Sequence, residues 1–209
     1  MSELEASQSN TRQKIINAAL LVGAKEGFAR ATTDQIARRA GVSEGIIYHY
    51  FKSKYDLCCN MIKERAEEFR HQLIEEIKKY PTAKDKLDKL IDFNFHYFAG
   101  KGNIFQAIYG KSGDTTIMMG HILKVAIIPY VKIVENIIRQ GIKEGEFKNL
   151  NPSIAASSLL GMMQIAIIRF RFGYAKFSIK DAKGQIKRIY FGGILKRKNG
   201  YSGLLCYRS

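Results

Sequence analysis

Between Thr32 and Lys54 the side chains that could do chemistry are hydroxyls and an ammonium at positions where helices should begin. Thr32 stands three residues before Gln35, the spacing of a capping box, and Thr33 adds a second hydroxyl. Ser43 is placed to cap a further short helix, and Lys54 opens the long one after it. The first turn of a helix exposes unpaired N–H groups and the positive end of the helix dipole. Hydroxyls and an ammonium gathered there suit a phosphate. Catalytic chemistry has no comparable constellation. His49, His71, His96 and His121 fall in different predicted helices without ligand spacing. There is no phosphate-cradling loop after a strand, no HxxxH or CxxC pair and no nucleophile elbow. Neither an enzyme, a metal site nor a bound cofactor is expected.

The elements that must position these groups are short helices. Ile15, Ile16, Ala19, Leu20 and Gly23 recur at helical intervals, so a helix is predicted over Thr11 to Glu26, closed by Gly27 and anchored by Phe28. Ile36, Ala37 and Ala40 mark a second helix that stops at Gly41. A third runs from Glu44 to Tyr50. Two short helices around Ala40-Gly41-Val42-Ser43 make a helix-turn-helix, whose second helix enters the major groove of DNA. Helical corners also occur with no such role, and periodicity alone leaves both readings open.

The whole segment from Thr32 to Leu57 resembles the N-terminal signature of the TetR family of bacterial transcriptional regulators. The Thr pair, Ile36-Ala37, Ala40-Gly41-Val42-Ser43, Gly45, Tyr48, Phe51, Ser53-Lys54 and Leu57 carry the resemblance, and it covers about residues 11 to 60. It implies that Tyr48, His49 and Tyr50 contact phosphates or bases. Gly45, with no side chain, lets the recognition helix approach closely. Ser43 and Ile46 are placed near base edges, Ile46 within reach of a thymine methyl. Glu44 either accepts from a cytosine amino group or faces solvent. Lys54, Thr32 and Thr33 are expected to hold phosphates.

The family's architecture implies an all-α protein. Its parts are an N-terminal three-helix helix-turn-helix domain, residues 1–53, and a larger helical ligand-binding and dimerisation domain, residues 54–209. From Lys54 to about Tyr80 the pattern is one long helix ended by Pro81. A second, unusually aromatic, runs from Ala83 to Ala99. Thr115 to Gly141 reads as a helix kinked or split near Ala126 by Pro129. Asn151 caps and Pro152 begins a helix rich in small residues, and a last helix spans roughly Asp181 to Leu195. In this family the last two long helices pair between subunits. A small molecule usually binds in the body, and Phe93, Tyr97, Phe105, Tyr109, Met118, Met162 and Arg169 are the expected liners of an apolar, adaptable wall.

Composition agrees with a globular regulator. The 209 residues are 46% hydrophobic, enough for a core, and the net charge is +15. Eleven of the basic residues, against one acidic, lie after Ile168, and the basic tail from Lys196 has no assigned role. Cys58, Cys59 and Cys206 do not form a disulfide framework. The longest apolar run, Leu159 to Ile168, is far shorter than the roughly 20 residues of a membrane helix. The expectation is a cytoplasmic, ligand-responsive homodimer that represses transcription. It would bind a palindromic double-stranded operator and be released by a small hydrophobic effector. A helical ligand-binding or scaffold protein with a degenerate helix-turn-helix is the alternative.

Overall fold

A computed structural model describes residues 3–100 and 116–196; side chains are described for 8–98 and 119–196. Phe105, Tyr109 and Cys206 therefore lie outside the described residues, as does the side chain of Met118. Helices joined by short loops make up the described chain, with one isolated bridge between Phe147 and Leu195.

Helix α1 spans Glu3–Glu26. It begins eight residues before the expected start, because the preceding residues include no Gly or Pro to stop it. Gly27 closes it at φ 82°, where a side chain would be strained. Helix α2, Thr33–Ala40, carries the complete capping box: Gln35 N donates to Thr32 Oγ1 at 3.2 Å and Thr32 N to Gln35 Oε1 at 2.9 Å. Gly41, at φ 70°, turns the chain into α3, Glu44–Tyr50. Helix α4, Lys54–Ile77, is capped by Ser53, which accepts from Asp56 N at 3.0 Å.

Helix α5 is Ala83–Gly100. Its first N–H groups are met from far along the sequence, where Glu146 accepts from Ala83 N at 2.9 Å and Lys84 N at 3.0 Å. Helix α6, Thr116–Ile122, runs through a π turn, Leu123–Ile127, into α7, Ile128–Lys143. Pro129 explains the turn. Its ring nitrogen cannot donate to Val125 O, and its ring crowds that carbonyl. The ladder slips instead to a five-residue bond from Ile128 N to Leu123 O, and Arg70 Nη1 of α4 donates to the freed Val125 O at 2.7 Å. Helix α8, Pro152–Arg171, begins at the Asn151 cap. Helix α9, Ile179–Ile194, starts two residues before the expected Asp181, because Ser178 caps it and accepts from Asp181 N at 3.1 Å.

Two apolar cores share α4. The head core joins Ile15 and Ile16 of α1, Ile36 of α2 and Ile47 of α3 to Leu57 and Met61 of α4, and includes Ile122 from α6. The body core begins at Phe69 and Leu73 of the same helix and gathers Leu87, Leu90, Val134, Leu159 and Ile186. Packing thus changes hands within α4, after Ile62, rather than at Lys54 where the helix begins. Cys58 is not in a disulfide and is fully buried, and burial pushes its thiol pKa up.

Helix α8 corrects one expectation. Its 20 residues reach a mean hydropathy of 1.5 over 18 positions, which is long and apolar enough to cross a membrane by composition. Gln164 interrupts the apolar run, yet the helix average stays high. In the fold Leu159, Met163 and Ile167 lie in the body core against α5, α7 and α9.

Candidate functional site

The first candidate surface is the outer side of the head. Ser43, Glu44, Gly45, Ile46, Tyr48 and His49 are all exposed, while Ile47 turns inward to full burial. Ile46 is 39% and Tyr48 51% exposed on this side. A Cβ on Gly45 would meet only Ser43 Oγ, at 3.8 Å, so the protein itself does not require the missing side chain. Ser43 caps α3 by backbone conformation alone and its hydroxyl makes no capping bond. Thr32 is exposed beside it, its oxygen shared with the capping box.

Three of the expected DNA-contact residues are bonded to one another. Thr33 Oγ1 donates to Glu44 Oε2 at 2.8 Å and lies 3.4 Å from the Tyr48 hydroxyl. Glu44 is exposed, and its carboxylate ties the start of α2 to the start of α3. Tyr50 is half-buried against the head core, with His49 edge-on at 5.1 Å. Lys54 also bonds within the protein. Its ammonium donates to Ala29 O at 3.0 Å and Ala31 O at 2.7 Å, beside the Phe28 ring. Two of three N–H donors fasten the α1–α2 loop, because those carbonyls lie outside any helix and need partners.

The second candidate is a cavity of about 300 Å³ in the body. Its wall is built by α4 (Ile62, Arg65, Ala66, Phe69), α5 (Asn94, Tyr97, Phe98), the α6–α7 segment (Ile122, Ala126, Ile127, Tyr130, Val131) and α8 (Ser157, Leu160, Gly161, Gln164, Ile167). Phe69 is the hub of its aromatic side, with Tyr97, Phe98 and Tyr130 rings 4.9, 5.0 and 5.1 Å away. Arg65 is the one charged residue among the described lining, and Glu68 pairs with it. Burial raises the pKa of both Tyr97 and Tyr130, so both phenols stay protonated.

Of the expected liners, Tyr97 is in this wall. Phe93 stands behind it, stacked on Tyr97 at 6.1 Å. Met162 packs on the body core outside the lining, one position along α8 from Gly161. Arg169 lies over the Phe177 ring at 5.4 Å, beyond the cavity. A helical stripe says that residues share a face but not which of them borders empty space. Asn94 and Tyr130 were missed. Asn94 was legible in principle as an amide within an aromatic run, whereas nothing local marks Tyr130.

An outward-facing helix-turn-helix joined through one long helix to a hollow apolar body defines a DNA-binding regulator with a ligand chamber. Residues 15–58 match the model for bacterial regulatory proteins of the tetR family, and residues 62–193 match the YsiA-like C-terminal region. The chain belongs to the TetR family and is a transcriptional regulator. It is 28% identical to the fatty acid metabolism regulator protein of Bacillus subtilis (strain 168) over 182 residues, 87% of this chain and 94% of that one. The crystal structure of the transcriptional regulator FadR from Bacillus subtilis in complex with stearoyl-CoA superposes with a TM-score of 0.78 at 27% identity, covering 87% of this chain and 98% of that chain. The regulator BetI of Escherichia coli O17:K52:H18 (strain UMN026 / ExPEC) is 37% identical over 90 residues, 42% of this chain and 46% of that protein.

Proposed function

We propose that this regulator is a cytoplasmic repressor that binds a palindromic operator as a homodimer and is released by a long-chain fatty acyl thioester. The observation that carries the reading is the position of the cavity. Ile62 and Ile122 line it and also belong to the head core, so one wall of the chamber is the floor of the DNA-binding head. A chain wedged between α4 and the π turn strains contacts the head depends on.

The wall also selects the class of ligand. Ile, Leu, Phe and Ala suit a hydrocarbon chain. An organic cation would face Arg65 and no carboxylate among the described lining residues, which disfavours a quaternary ammonium despite the aromatic side. The similarity to a protein solved with stearoyl-CoA supports the same choice. For the dimer, α8 and α9 leave Ile154, Ile165 and Ile189 exposed at 67, 58 and 61%, a surface suited to the same helices of a second copy.

On the operator, two recognition helices must stand about 34–36 Å apart, or a multiple. Thr32, Thr33, Ser43, Gly45, Ile46, Tyr48, His49 and Tyr50 form the contact face, with Ile46 and Ser43 at base edges and the hydroxyls on phosphates. The third N–H of Lys54 remains for a phosphate. An effector that favours a wider spacing releases DNA in proportion to its preference for that state.

The test is fluorescence anisotropy on duplexes taken from upstream of the protein's own coding sequence, titrated with acyl-CoAs from decanoyl to stearoyl, alongside sedimentation. A dimer that binds one palindrome and lets go at micromolar acyl-CoA is expected. A monomer indifferent to every duplex at low salt, or a complex untouched by any acyl-CoA, overturns the reading.

A further inference from the structure

Asn94 is the one polar side chain buried among the described residues, at 5% exposure, and it sits in the cavity wall. A polar group in such a place is held by its bonds. Its Nδ2 donates to the Tyr130 hydroxyl at 2.9 Å, joining α5 to α7. That one bond leaves both partners with capacity to spare. The Tyr130 oxygen already accepts, so its own proton must go elsewhere, and no described residue takes it. Asn94 Oδ1 has no partner among the described residues.

The placement of the amide, with Asn94 Nδ2 toward the phenol oxygen, puts the spare donor on Tyr130; reversing the amide would move it to Asn94. With the Asn94 oxygen toward Tyr130, the phenol would donate to it and the Asn94 amide N–H groups would be left over. In both arrangements the pair has an unspent hydrogen-bond donor. The phenol does not escape by ionising, because burial raises its pKa. Most of the wall around the pair is apolar, with Phe69 edge-on to Tyr130 at 5.1 Å; Arg65, Ser157 and Gln164 are its other polar members among the described residues.

We infer that Tyr130, held by Asn94, is the hydrogen-bonding point that recognises the carbonyl oxygen of the effector, and so discriminates an acyl chain from a plain alkyl chain. This rests on the fatty acyl thioester reading above. A neutral acceptor fits best, because a bare anion would be stripped of water among aromatic rings. The carbonyl gives up less hydration and takes the spare proton. Asn94 is a positioning residue in this scheme. It fixes the phenol while the phenol touches the ligand.

The experiment compares palmitoyl-CoA with S-hexadecyl-CoA, a thioether of equal chain length whose only relevant difference is the missing carbonyl. Binding is read by calorimetry and by release of operator DNA, for wild type, Tyr130→Phe and Asn94→Leu. Wild type should prefer the thioester about tenfold. Tyr130→Phe should bind both ligands as wild type binds the thioether, which also shows an intact cavity. Asn94→Leu should lose most of the preference but not all of it, since the phenol survives without its support. Equal affinity of wild type for the two ligands, or a preference that survives Tyr130→Phe, overturns the carbonyl contact while leaving the acyl reading in place. If neither ligand binds, the acyl reading itself fails and the carbonyl contact fails with it.

Discussion

In the head, the residues proposed to meet DNA lie between Thr32 and Lys54 and stand at the beginnings of helices or on the outer side of one short helix. In the body, the cavity wall draws on four separate stretches between Ile62 and Ile167. The head makes its surface from local rules: a cap, a left-handed glycine, a buried Ile47 that leaves its neighbours outside. The body makes its chamber from what distant helices fail to fill. The contrast teaches that the first site should tolerate changes in the fold's interior poorly but changes in its own surface residues without unfolding. In the second site, interior substitutions act on stability and ligand at once.

The largest effect is expected in the body core. Leu90→Ala removes a fully buried side chain and should cost about 2–5 kcal/mol in denaturant unfolding. If the head unfolds independently, its own transition should stay where it was, and a shift of both would show that shared α4 makes one cooperative unit. Gly45→Leu comes next. The added side chain has room in the protein, so the melting temperature should hardly move, while operator affinity should fall roughly 100-fold. A folding defect instead would erase the distinction between the two sites.

Lys54→Met separates a fastening from a phosphate contact. Loss of its two carbonyl bonds should cost about 1–2 kcal/mol of stability. With its third N–H on a phosphate, the dependence of DNA affinity on salt should fall in slope by about 1; an unchanged slope would mean that Lys54 only fastens the loop. Glu44→Gln removes a negative charge from the DNA face and weakens the Thr33 tie. Binding to random duplex should tighten by about two- to fivefold at low salt and less at high salt.

The smallest effect concerns the α5–α9 staple, where Lys187 bonds Asp88 at 2.7 Å and Asp92 at 2.8 Å. Burial pushes the Asp92 carboxyl up, but Lys187 and Lys183 outweigh it and hold its pKa below the ordinary 3.8. A depressed folded pKa means that the stabilisation is present above pH 4 and disappears as pH falls through the folded value. Unfolding titrations from pH 5 to pH 2.5 should show wild type losing more stability than Asp92→Asn. The difference should be about 0.2–1 kcal/mol for this half-buried pair.

Much of the fold follows from short-range patterns. Thr32, Gln35, Gly41, Asn151 and Pro152 each act on backbone within four residues, and the helices begin or end where those residues say. Pro129 also acts locally, by the donor it lacks, and the π turn appears beside it. Where the expected and observed boundaries part, at α1 and α9, ordinary helix-forming residues or a further cap simply extended a helix.

The sequence alone determined the helices, the head and the residues that face outward from it, because capping, glycine geometry and the 3.6-residue period are encoded in neighbours along the chain. Only the tertiary structure decided that Lys54 would fasten the Ala29–Ala31 loop, that Glu44 would hold Thr33, and that Asn94 would meet Tyr130 at the edge of a cavity. Each of those pairings joins residues from different elements. Their partners were chosen by where packed helices came to rest, which no spacing within one helix records.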